Sequence, residues 1–151
     1  METALTVVAA FASAAAAGAL LVGVFVILPL LLSLSVKDYP GTNTFVLARM
    51  DKLMPAAIAV AVAAGLALAV LLDDPVQRTA YATGAVALAA VAGVSIAALG
   101  PLNKAVRAID PAAPRPDWRG LRVRWRTWHL VRVGLGQAGA LLYVVGLVIA
   151  L

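Results

Sequence analysis

The residues of this chain best suited to chemistry lie together between Trp118 and Arg132, in the run WRGLRVRWRTWHLVR. The run holds all three tryptophans, the only histidine and five of the twelve Lys and Arg residues. On a helix each residue advances about 100°, so Arg122, Trp125, His129 and Arg132 share one face and Trp128 flanks it. A titratable ring, guanidinium groups and flat indoles on one face suit proton exchange, anion binding and stacking. The same types also make an aromatic and basic belt at a membrane surface, where an indole keeps its ring apolar and its N–H wet.

Depth along the helix divides the run. Arg119, Arg124 and Arg126 point away from the stripe and read as belt, anchored to lipid phosphate. His129 and Arg132 lie one to two turns further in, at the start of an uncharged segment. Ionisable groups at membrane depth are costly and face a bundle interior or a watery cavity. The stripe continues through Gly136, Gly139 and Tyr143. Glycines there admit either a neighbouring helix or a flat ligand. Asn103 is the other polar residue against the grain. It follows Pro101, and its amide either caps backbone groups freed by the proline or points into the same cavity as His129.

The elements that must position these residues are membrane helices. Apolar residues make up 64% of the 151 and mean hydropathy is +1.00, against about 45–50% apolar in soluble domains. Apolar runs at about 4–36, 53–72, 76–100 and 127–150 each approach or exceed the ~20 residues that span a bilayer. The expected fold is all-α, a single integral membrane four-helix bundle over 1–151. Pro29 kinks or breaks the first helix. Tyr39-Pro40-Gly41-Thr42 forms a turn cluster, and Phe45 to Lys52 is a short interfacial helix or the start of the second span. Asp73-Asp74-Pro75 makes a tight turn. Gly100-Pro101 interrupts the third helix, which continues, kinked, to Asp110, and PAAPRP is a stiff linker. Eleven of the twelve Lys and Arg residues fall in 37–52, 101–126 or at Arg132, and only Arg78 lies between the second and third spans. By the positive-inside rule the loops 37–52 and 101–126 are cytoplasmic and both termini lie opposite. The first apolar run is too long, and lacks the basic start, for a cleaved signal peptide.

Pro101-Leu102-Asn103, then Trp118, Leu121-Arg122, Arg124-Trp125, His129 and Arg132, follow the pattern P-x-N and W-x-x-L-R-x-R-W-x-x-x-H-x-x-R. This pattern, with the four-span layout and the Gly-containing first helix before Pro29, resembles the anthrone oxygenase family of small membrane proteins. Fungal members oxidise anthrones to anthraquinones in polyketide pathways with molecular oxygen. The resemblance implies a small planar aromatic substrate, O2 and membrane lipid as partners. An anthrone carries an acidic CH₂ opposite a ketone, and its enolate can pass an electron to oxygen directly. That chemistry asks for a base, an oxyanion stabiliser and a flat apolar slot, and no cofactor. The resemblance then implies His129 as base, Arg132 or Asn103 as stabiliser, and Trp125, Trp128, Arg122 and Tyr143 as substrate contacts.

Other chemistries have little support. Cysteine is absent and histidine single, so no thiolate or His-rich metal site is expected. No attachment motif accompanies haem ligation by His129 alone. There is no paired-carboxylate site and no phosphate loop. The formal charge of +5 sits in loops and reads as membrane orientation, not nucleic-acid binding. The competing class is a non-enzymatic membrane module that binds a quinone-like or lipid ligand in the same slot.

Overall fold

The computed structural model describes residues 2–149 and is 88% helical. Four long helices form: α1 (Glu2–Ser33), α2 (Tyr39–Leu71), α3 (Pro75–Arg107) and α4 (Trp118–Ile149). No strand occurs among the described residues. The expected end of the last span, at residue 150, lies outside them. Each helix is long and apolar enough to cross a bilayer, and the chain is a multi-pass membrane protein. α1 packs on α2 and α4, and α3 packs on the same two helices, which closes the bundle.

The inside of the bundle is rich in alanine, with Leu20, Leu68, Leu88 and Tyr143 filling the space between, and many large side chains face outward. Ala9, Ala16, Ala61 and Ala85 are buried, while Phe11, Phe25, Val70 and Ile96 face outward. Lipid tails are as apolar as a core, so helices gain by close packing and not by removing apolar surface from water. α3 and α4 approach backbone to backbone at Gly84 and Gly139. A Cβ on Gly84 would stand 3.1 Å from the Gly139 carbonyl oxygen, and one on Gly139 would stand 3.0 Å from that of Gly84. The stripe glycines of α4 are therefore packing sites: Gly136 receives Leu20, Gly139 receives Leu88, and Gly146 receives Tyr81.

Helix starts follow local chemistry. The Asp74 carboxylate accepts from the Val76 and Gln77 amides at 2.9 and 2.8 Å and caps α3, with Pro75 in the first turn where its missing N–H costs nothing. Pro40 starts α2 in the same way. The tract 39–42, expected as a turn, is the first turn of α2, and the helix runs unbroken through 45–52. The face Tyr39, Asn43 and Leu47 is buried, and that burial outweighs the local turn preference. In the α3–α4 linker Arg115 Nη2 donates to Asp117 at 2.9 Å, which holds the Asp117 carboxyl below the usual carboxylate range.

Pro29 and Pro101 do not break their helices. Each is preceded by a widened, five-residue π segment, Gly23–Ile27 in α1 and Ser95–Leu99 in α3. The Leu28 amide bonds the Gly23 carbonyl and the Gly100 amide bonds the Ser95 carbonyl, a span of five residues instead of four. The wider turn accommodates the proline ring and its lost donor.

At the far end of the bundle the Tyr143 hydroxyl donates to the Ala61 carbonyl at 2.8 Å, beside Tyr81. A Cβ on Gly65 would overlap this hydroxyl. Gly65→Ala is expected to lose stability by roughly 1–3 kcal/mol through overpacking, against the ~1 kcal/mol that alanine normally adds in a helix. Unfolding in detergent would show it.

Candidate functional site

The site begins with two residues one turn apart on α4. Arg132 Nη2 lies 2.9 Å from His129 Nδ1, and Arg132 Nη1 donates to Ser95 Oγ at 3.2 Å. Ser95 in turn donates to the Val91 carbonyl at 2.7 Å. On the other side, Trp125 stacks on the His129 ring with centroids 4.9 Å apart and planes 12° from parallel. The Trp125 indole N–H donates to Asn103 Oδ1 at 2.9 Å. Asn103, Trp125, His129, Arg132 and Ser95 thus form one chain of contacts between α3 and α4.

The two π segments bracket this chain. Ser95 opens the one in α3, and Gly23 opens the one in α1. A Cβ on Gly23 would stand 2.6 Å from His129 Nε2. The imidazole edge therefore rests on bare backbone, and only glycine leaves room for it. Such widened turns occur often at functional sites.

The arginine determines the histidine's tautomer. A guanidinium has donors and no acceptor, so His129 Nδ1 accepts. In the neutral ring the proton is then on Nε2. That N–H is buried and meets no hydrogen-bond acceptor among the described residues. The His129 side chain lines a cavity of about 40 Å³, between α1 (Ala19, Leu20, Gly23, Ile27), α2 (Val46, Leu47, Met50, Met54) and α4 (Trp125, His129, Arg132). The lining is apolar except for the two polar heads of α4. In this arrangement the lone pair that a base needs is bonded to Arg132, and the Nε2 edge of the ring lies against the Gly23 backbone beside the cavity.

The family now follows from a direct comparison. A model of the anthrone oxygenase family matches residues 44–142, well over half of the chain. The chain belongs to the anthrone oxygenase family. The matched part contains Asn103, Trp125, His129 and Arg132, and leaves Gly23 outside. Neither curated proteins nor solved structures return a match.

The remaining residues implied by the anthrone oxygenase resemblance lie elsewhere. Arg122 is in the belt above the cavity. It donates to the Leu32 and Leu34 carbonyls, each at 2.8 Å, and its guanidinium covers the rings of Tyr39 and Trp118 at 4.4 and 4.6 Å. It satisfies the open end of α1, where carbonyls lack partners, and ties it to α2 and α4. Trp128 is 42% exposed on the outer face of α4. Tyr143 is fourteen residues from His129, about 21 Å along the helix, and is engaged with Ala61. Among the described residues no three His, Cys, Asp or Glu side chains come together.

Gly23, Ser95 and Met54 are the site residues that spacing along α4 did not reveal. A signal existed for two of them: Pro29 and Pro101 each follow by six residues. Arg122→Ala is expected to destabilise the protein by about 2 kcal/mol, as charged hydrogen bonds go, with no loss of ligand affinity. Arg126→Ala, on the exposed belt, is expected to stay within about 0.5 kcal/mol. Unfolding and ligand titration on the same preparations check both.

Proposed function

We propose that this chain is an anthrone oxygenase-type membrane enzyme that oxidises a planar, lipophilic aromatic substrate with O2. The carrying observation is the buried His129–Arg132 pair, held by Trp125 and Gly23 beside an apolar cavity. The overall reaction balances as anthrone plus O2 giving anthraquinone plus water. The CH₂ loses a proton to give an enolate. One electron passes to O2, and the carbon–oxygen bond forms by recombination. The resulting peroxide takes up a proton. Loss of the second C–H proton with cleavage of the O–O bond leaves the ketone and releases water.

His129 Nε2–H and the Arg132 charge support this course by stabilising the enolate oxygen, an oxyanion hole in a site of low dielectric. The base role expected for His129 requires Nδ1 to release Arg132. The geometry favours the donor role, and the proton given up as the enolate forms is the one the peroxide takes up. Trp125 supplies a flat wall, and Asn103 acts through Trp125 by holding its indole. The matched family and the apolar setting both favour a lipophilic substrate. The excess of Lys and Arg supports the α1–α2 and α3–α4 ends as cytoplasmic.

A second reading has its own observation. A donor N–H with no free lone pair also suits a quinone carbonyl, as in a binding module without turnover. Purified protein given a simple anthrone under air separates the two. Quinone formation and oxygen uptake above the spontaneous rate support the enzyme. Binding of anthraquinone with no acceleration leaves the module.

A further inference from the structure

A second cavity, of about 120 Å³, lies behind the first, lined by Met54, Pro55 and Ile58 of α2, Ala92, Ser95 and Ile96 of α3, and Arg132. Met54 and Arg132 are common to both cavities. We propose that the two are one ligand cleft divided by the Met54 side chain, and that a planar apolar ligand reaches Arg132 and His129 from the bilayer, between α2 and α3. This rests on the oxygenase reading for the identity of the ligand and not for the existence of the cleft.

Size requires that something move. Neither chamber, nor both together, reaches the ~300 Å³ at the low end of ligand sites. Of the two dividing side chains, Arg132 is fixed by His129 and Ser95. Met54 is an unbranched thioether with three rotatable bonds, suited to fill a gap and to leave it. Swinging it aside joins the chambers beneath the guanidinium and the imidazole.

The route follows from what is closed. Toward the basic end the site is covered by a packed apolar cluster that includes Tyr39, Leu47, Leu102, Val106, Leu121 and Trp125. Water-side access would have to take that cluster apart. Toward the lipid, the outer chamber ends at Ile96, which is 76% exposed. Both walls of this mouth are weak points of helical bonding. Pro55 lacks an N–H in α2, and Ser95 and Ile96 lie in the π segment of α3. Helices open most readily where their own ladder is already interrupted.

The ligand class follows from the lining. Among the described residues the mouth carries no charge, which disfavours a charged or strongly hydrated molecule. Arg132 at the back selects, among apolar ligands, those with a carbonyl or an acidic hydroxyl.

The test uses the full chain in lipid nanodiscs and 9,10-anthraquinone, which is flat and not turned over in air, with binding read from quenching of tryptophan emission. Ala92→Phe fills the outer chamber without touching His129 and is expected to weaken binding at least tenfold. Ile96→Trp, at the lipid-facing rim, serves the same purpose if Ala92→Phe does not fold. Met54→Ala is expected to tighten binding several-fold and speed its onset. Wild-type affinity in both mouth variants, or strong loss only in Ala19→Phe on the α1 side, overturns the proposal. No quenching in the wild type overturns it and leaves the oxygenase reading to the oxygen-uptake assay. Quenching without oxygen uptake from an anthrone removes the oxygenase reading and leaves the cleft.

Discussion

Turnover of an anthrone by the His129→Phe protein is expected to fall on the order of 10²–10³-fold, the effect of removing one oxyanion donor. Anthraquinone affinity is expected to change only a few-fold, because phenylalanine keeps a flat ring against Trp125. His129→Gln then distinguishes the two roles open to the ring. A glutamine amide nitrogen can reach the position of Nε2 and donate there, but it cannot accept a proton near neutral pH. If the ring is a donor, glutamine recovers part of the rate lost in the phenylalanine protein. If the ring is the base, glutamine is as inactive as phenylalanine. The geometry favours the first outcome, since Arg132 occupies Nδ1 at 2.9 Å. Steady-state oxygen uptake with the three proteins decides it.

The second large effect is expected at a residue with no side chain. Gly23→Ala puts a methyl group 2.6 Å from Nε2 and 2.7 Å from Cε1 of His129. The ring is confined by Trp125 on one face and Arg132 at Nδ1, so the strain falls on the contacts that orient it. Overpacking of this kind costs roughly 1–3 kcal/mol, more than the ~1 kcal/mol that alanine gains over glycine in a helix. Gly23→Ala is therefore expected to lose both stability and most of the activity. Gly18→Ala, on the same helix where a Cβ meets nothing within 4 Å, is the matched control and is expected to be neutral or slightly stabilising. Equal activity of the two variants would mean that the imidazole does not need its present position.

The two substitutions also show why parts of the site were legible and others not. Trp125, His129 and Arg132 share a face because of the helical period, and a single helix carries that information in order along the chain. Asn103 was marked by its place after Pro101, but its role was open. The structure assigns its oxygen to the Trp125 indole, neither a cap nor a cavity wall. Arg122 falls on the same angular stripe as His129 and still misses the cavity. It sits two turns higher, where the end of α1 presents bare carbonyls. Angle along a helix is readable from spacing, whereas the height at which a partner helix ends is not. The same holds for Tyr143, on the right face but about 21 Å too deep.

By itself the sequence determined the class of molecule and the face of α4 that carries the polar groups. Four apolar runs and the requirement that backbone groups be paired inside lipid leave a helical bundle as the solution. The order W-x-x-L-R-x-R-W-x-x-x-H-x-x-R also pointed to the anthrone oxygenase family. The tertiary structure decided what surrounds His129: the Gly23 backbone from α1, Met54 from α2, and Ser95 from α3. These residues lie far apart in the chain, and their meeting depends on helix register and on two π segments that shift that register by one residue each. It also decided which nitrogen of the ring carries the proton, because that depends on the three-dimensional position of one guanidinium group.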